Sequence, residues 1–135
     1  MFRLRLLLLL TLVLLALSGL YSSTIRASGF PAAGSIGVYR TDCFTVRRNP
    51  YRVNFAYFTE DSIGNETFHI YQYDCKTNQP VRRMYAPDLG GWLGDLELGG
   101  RLAVRGEGRF YLKIFSSGYW SIGKKGQQPD RFWVE

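Results

Sequence analysis

Histidine occurs once in these 135 residues, cysteine and methionine twice each, and proline five times. Each scarcity removes a class of function. One histidine and two cysteines fall short of a four-ligand zinc site, and their spacing fits no metal motif, so no metal or other cofactor is expected. His69 would have to serve any Ser-His-acid arrangement alone. It sits between Phe68 and Ile70 in a strand-like stretch, and no Gly-x-Ser-x-Gly elbow occurs. The glycine-rich middle of the chain does not end in Gly-Lys-Ser/Thr and leads into no helix, which excludes a phosphate loop. No catalytic set is left, and the chain reads as a non-enzyme.

Aromatic residues and glycine are plentiful: nine Tyr, nine Phe, three Trp and 15 Gly. Rings at alternating positions with frequent glycine punctuation favour strands and tight turns over helices. The N-terminus is of another kind. Arg3 and Arg5 precede a nearly uninterrupted aliphatic run from Leu6 to Leu17, and small or polar residues follow. Basic, then apolar, then small is the order of a secretory leader. Ala16-Leu17-Ser18 ahead of Gly19 offers small residues where a processing enzyme needs them; Ile25-Arg26-Ala27 fits less well. No cysteine follows the run, which disfavours a lipid-attached protein. The rival is an uncleaved anchor. Leu6 to Leu20 would span about 22 Å as a helix, short of a hydrocarbon core of about 30 Å, so cleavage is the favoured reading. Either way the rest of the chain is translocated, and contact with a membrane is expected only through an uncleaved leader.

The expected division is a leader or anchor over 1–27, a Gly-, Pro- and Ala-rich linker over 28–37 and one domain over 38–135. Setting aside Arg3, Arg5 and Arg26 leaves 14 basic residues against 11 acidic ones, a net charge of +3 rather than +6. That is ordinary for solubility and does not indicate nucleic acid as a partner. Cys43 and Cys75 form an even pair in an exported chain, so a disulfide is expected.

Within the domain, Arg109 to Ile122 organises the rest. Phe110, Leu112 and Ile114 share one strand face; Tyr111, Lys113 and Phe115 share the other. Ser116-Ser117-Gly118 reads as a hairpin turn with glycine at positive φ, and Trp120 and Ile122 return on one face. A hairpin alone is unstable in water, so a second layer is required. Further strands are expected within Val38–Arg48, where Phe44 and Val46 alternate with Thr45 and Arg47, and at Tyr51–Phe58, Phe68–Tyr73 and Val81–Tyr85. In the third of these His69, Tyr71 and Tyr73 form a second apolar face, the mark of a central or doubly covered strand. Glu60–Asn65 reads as a loop between antiparallel neighbours. Ala86–Gly108 reads as irregular, with short strands at Leu96–Leu98 and Leu102–Val104, and Phe132-Trp133-Val134 as a docked edge. The basic pairs Arg47-Arg48, Arg82-Arg83 and Lys124-Lys125 read as solvated charges protecting edges. The expected fold is all-β: an antiparallel sandwich of about seven or eight strands after a hydrophobic leader helix, with a barrel as the alternative closure.

Cys-Phe-Thr-Val, then Pro-Tyr-Arg-Val-Asn-Phe-Ala-Tyr, Phe-His-Ile-Tyr-Gln-Tyr-Asp and finally Gly-Arg-Phe-Tyr-Leu-Lys-Ile with Tyr-Trp-Ser-Ile follow in order from Asp42 to Ile122. This succession resembles a loosely defined group of small exported bacterial β-sandwich domains. Many of those carry a cysteine shortly before the late tryptophan; Gly118-Tyr119 stands there here. The resemblance implies a fold and a compartment and no activity.

Three functional readings follow, the last of them a membrane-anchored accessory subunit in which the leader stays. The first is an exported, non-enzymatic module at the cell envelope that meets an unidentified protein or glycan. The second is a carbohydrate-binding or carbohydrate-processing domain. It would use the aromatics Trp92, Tyr119 and Trp133, whose rings give large contact area at low entropic cost, together with the carboxylates of Asp95 and Glu97.

Overall fold

A computed structural model describes residues 24–27, 30–48 and 50–124. The leader helix, the C-terminal edge and Trp133 lie outside those residues. The described chain is all-β. Its strands are β1 (Ile25–Arg26), β2 (Ala32–Gly34), β3 (Gly37–Arg40), β4 (Phe44–Val46), β5 (Tyr51–Asn65), β6 (Phe68–Asp74), β7 (Pro80–Tyr85), β8 (Gly90–Val104), β9 (Gly108–Ser116) and β10 (Tyr119–Lys124).

They form two stacked sheets. Sheet A runs β1-β3-β9-β6-β7, with β4 also pairing β9; sheet B runs β2-β10-β5-β8. All pairings are antiparallel except β1 with β3. Alternation decides the core. Phe110, Leu112 and Ile114 of β9 and Phe68 and Ile70 of β6 face Val53, Phe55 and Tyr57 of β5 and Trp120 and Ile122 of β10. Rings interlock across the gap: Tyr57 stacks on Phe68 at 4.6 Å, and Tyr39 meets Trp120 edge-on at 5.0 Å.

The Ser116–Gly118 turn is not a hairpin. It carries the chain from β9 in sheet A to β10 in sheet B, where Trp120 lies opposite Tyr57 and Gly34. Gly118 has no positive φ; it is small because a Cβ there would lie 2.5 Å from the Phe58 carbonyl oxygen. Backbone cannot yield as a flexible side chain can. Gly118→Ala is therefore expected to destabilise by roughly 1–3 kcal/mol, read as a lower urea midpoint; an unchanged midpoint would refute the close approach. The crossover is also tied by side chains. Ser117 Oγ donates to Glu66 Oε2 at 2.6 Å and accepts from Thr67 N at 2.8 Å, with the Tyr57 hydroxyl at 3.1 Å.

Burial pushes the Tyr57 phenol up to about 12; the bond to Ser117 pulls the other way and the Glu66 carboxylate adds to the rise. A phenol that keeps its proton longer when folded contributes stability that is whole below pH 10, its unfolded value, and is lost as pH climbs towards about 12. Tyr51, Tyr85 and Tyr111 are raised too, chiefly by burial. Urea midpoints should fall across that window, less steeply in Tyr57→Phe. Identical slopes in the two proteins would remove Tyr57 as a cause.

Two further segments differ from the sequence expectation. Glu60–Asn65 is not a loop: β5 continues to Asn65 and pairs with β8 through a register shift between Thr59 and Ser62. The glycine-rich region is one 15-residue strand, β8, rather than two short ones. Gly100 faces the Phe55 ring, where a Cβ would come within 3.1 Å, so glycine here makes room for a core ring. Before the domain start expected at Val38, Ile25–Arg26 pairs beside β3, Ala27 is buried and Ala32–Gly34 joins sheet B.

Candidate functional site

Sheet A turns its second face outward, and alternation selects what stands there: Val38 and Arg40 from β3, Arg109, Tyr111, Lys113 and Phe115 from β9, and His69, Tyr71 and Tyr73 from β6. Register then orders them. Arg40 pairs with Lys113, Lys113 with Tyr71 and Tyr71 with Arg83 of β7, giving one row across four strands, which Arg26 of β1 continues beyond Arg40 with its own charge met by Asp42 at 2.7 Å. The row above holds Val38, Phe115 and His69; the row below holds Tyr111 and Tyr73.

The rings and cations pack on one another. Tyr73 and Tyr111 stack at 5.2 Å, and Tyr71 meets Phe115 edge-on at 5.6 Å. The Arg40 guanidinium lies 4.0 Å above the Tyr111 ring, and Lys113 Nζ sits about midway between Tyr73 and Phe115, at 5.4 and 5.5 Å. Cation–π contact orients these heads without neutralising them. Burial raises the Tyr111 phenol, and the Arg40 charge opposes that rise; its hydroxyl donates to Asn78 Oδ1. Among the described residues, Arg40, Lys113 and Arg83 have no carboxylate partner, and no outward-facing strand position of sheet A carries an acid.

Neighbouring groups hold this face in place. The Cys43–Cys75 disulfide is present, with a Cα–Cα distance of 6.2 Å. It joins the β3–β4 bend on one side of β9 to the end of β6 on the other, since Phe44 and Asp74 both lie opposite Phe110. Behind the bend, the buried Thr41 Oγ1 accepts from Leu112 N at 2.9 Å. Asp74 receives the backbone N–H groups of Lys76 and Thr77, which hold its carboxyl below the usual range. From the core side, Gln72 grips both backbone groups of Arg105 at 2.7 and 3.1 Å.

The residues singled out from the sequence lie elsewhere. Tyr119 is exposed on the outer face of sheet B, in a row with Phe58 and Glu97. Trp92 is half-exposed on β8, beyond the shift in register, on an arm where Ile63 and Leu93 are also exposed. Its indole N–H donates to the Asp95 carbonyl at 3.2 Å, and the Asp95 carboxylate accepts from Asp61 N at 3.1 Å. Tyr119 and Glu97 thus share a row, while Trp92 and Asp95 bind each other. Of the basic pairs, Arg82 is not a solvated edge charge: it turns inward and donates to the Ala103 carbonyl at 3.0 Å, leaving Arg83 outside. His69 lies beside Tyr71, ring to ring at 6.3 Å.

The sheet A face carries its signal in sequence only as fragments: the ring alternation of β6 and the Tyr-x-Lys-x-Phe alternation of β9. Comparison with protein-family models, with curated proteins and with solved structures finds no match to this chain.

Proposed function

We propose that this chain is an exported, non-enzymatic binding module that works at the cell envelope and meets its ligand with the outer face of sheet A. The observation that carries the reading is the row Arg40, Lys113, Tyr71, Arg83, framed by rings and without an acid partner among the described residues. Cations left without counter-ions on a rigid face are a standing attraction for an opposite charge. The leader-like N-terminus and the bonded cysteine pair support an oxidising, extracytoplasmic setting. The pairing of Ile25–Arg26, the burial of Ala27 and the 2.7 Å Arg26–Asp42 ion pair favour cleavage before Gly19 over cleavage after Ala27, which would discard part of the fold.

Two measurements test the proposal. Mass spectrometry of the exported protein should give an N-terminus at Gly19; an intact Met1 would mean an anchor, and reduced protein in the cytosol would end the export reading. Purified protein should bind saturably to isolated envelopes of the source organism, and Lys113→Glu should weaken that binding at least tenfold. Binding indifferent to Lys113→Glu would refute the site. A second reading, sugar binding at sheet B, is favoured by the Tyr119–Phe58–Glu97 row alone. It requires glycan-array signals that vanish in Tyr119→Ala.

A further inference from the structure

We infer that the ligand of the sheet A face is an acidic polysaccharide, a polymer in which carboxylates recur along hydroxyl-rich rings. This rests on the binding-module reading above and names its ligand class. Charge complementarity sets the sign. Arg40, Lys113 and Arg83 stand in one row, and Arg109 adds a fourth cation on the same outward side. At about 4.8 Å per strand the row from Arg40 to Arg83 spans about 14 Å, a track for a polymer rather than a pocket for a single ion.

The rings decide between polymers. Proteins that hold single-stranded nucleic acid offer open aromatic faces on which bases stack. Here Arg40 covers Tyr111, Tyr73 stacks on Tyr111, and Phe115 and Tyr71 meet edge to face. The faces are largely spent within the lattice, and the half-buried Arg40 and Lys113 and the exposed Arg83 supply guanidinium and ammonium donors, with the half-buried Tyr71 and Tyr73 beside them. Fixed N–H and O–H donors suit carboxylates and sugar hydroxyls. A lipid surface is disfavoured because Ile63, Leu93 and Trp92 protrude together on the arm of sheet B, whereas the apolar side chains exposed around sheet A stand apart, Ile25 and Val81 on its outermost strands β1 and β7 and Ile36 in the link before β3.

The probe is polygalacturonate, with neutral dextran, an oligo-dT strand and anionic phosphatidylglycerol vesicles as comparators, all titrated onto the disulfide-intact protein. Polygalacturonate should bind in a salt-sensitive manner and more tightly than the other three. Lys113→Gln with Arg83→Gln should weaken it at least tenfold. Arg101→Gln with Arg52→Gln, the same charge change on the outer face of sheet B, should move it less than threefold. Both double variants must keep the wild-type far-UV spectrum; Arg83→Gln alone, at an exposed position, serves if the pair does not, and should weaken binding at least threefold. Preference for oligo-dT or for vesicles, absence of polygalacturonate binding, or equal losses in the two double variants would overturn the inference. Saturable, Lys113-dependent envelope binding without polygalacturonate binding would overturn the ligand class alone; loss of both would overturn the module.

Discussion

Replacing Trp120 with alanine is expected to cost about 3–5 kcal/mol of unfolding free energy. The indole is fully buried at the centre of sheet B, with Tyr39 edge-on against it and Tyr57 beside it on β5. Gly34 is the reason it fits: a Cβ on that residue would lie 2.7 Å from Trp120 Nε1. The surrounding strands are pinned by their ladders and cannot collapse far into the space an alanine would leave, which places the loss in the upper part of the range. Trp120→Phe should lose much less. It also removes an indole N–H that has no hydrogen-bond partner among the described residues, and a buried donor left unpaired is itself costly. Urea unfolding followed by circular dichroism gives both values. A loss below about 1 kcal/mol for the alanine variant is what a surface site would show, and it would contradict the packing described.

The second large effect is removal of the disulfide. Cys43 and Cys75 are 32 residues apart, and closing a loop of that length reduces the entropy of the unfolded chain by an amount equivalent to about 3.5–4 kcal/mol. The double variant Cys43→Ala/Cys75→Ala avoids stray thiols and should be less stable by that order. Reductant should lower the midpoint of the wild-type protein and leave the variant unmoved. The bridge also fixes both flanks of β9 next to the aromatic lattice, so the envelope binding proposed above should fall together with stability. If reductant shifts both proteins equally, the bond is not the source of the difference.

How far the chain announced its fold depends on the range of the information needed. The inward set of β9 was legible because Phe110, Leu112 and Ile114 alternate within five residues, and Trp120 and Ile122 likewise. Ser116-Ser117-Gly118 was misread because a hairpin turn and a crossover between sheets use the same small residues; only the position of Phe58 tells them apart. Gly99 and Gly100 were read as breaks, since glycine weakens an isolated strand, whereas at Gly100 the demand comes from the Phe55 ring on another strand. The candidate site was half visible. Tyr71 and Tyr73 stood out as a second apolar face of one strand, and Lys113 on a face of another with Tyr111 and Phe115, but their meeting, in a row that also takes in Arg40 and Arg83, exists only through the register of four strands. No local pattern encodes that register. Trp92 and Tyr119 drew attention because aromatic rings give a large contact area at low entropic cost; both are exposed, and they lie apart from the cationic row.

The strand order also constrains the sequence of events as the protein is made. β10, the last strand described, fills the place between β2 and β5, so Gly34 waits for Trp120 and the edge of β5 stays open until Tyr119–Lys124 has emerged. Contacts so distant along the chain are slow to form. An unfinished molecule, whether leaving a ribosome or a translocation channel, therefore displays a 15-residue strand with one unsatisfied edge, the kind of template on which two half-made copies join. Truncation before Tyr119 should accordingly yield insoluble material rather than a smaller folded domain, and any factor that escorts this polypeptide has to hold it until β10 arrives.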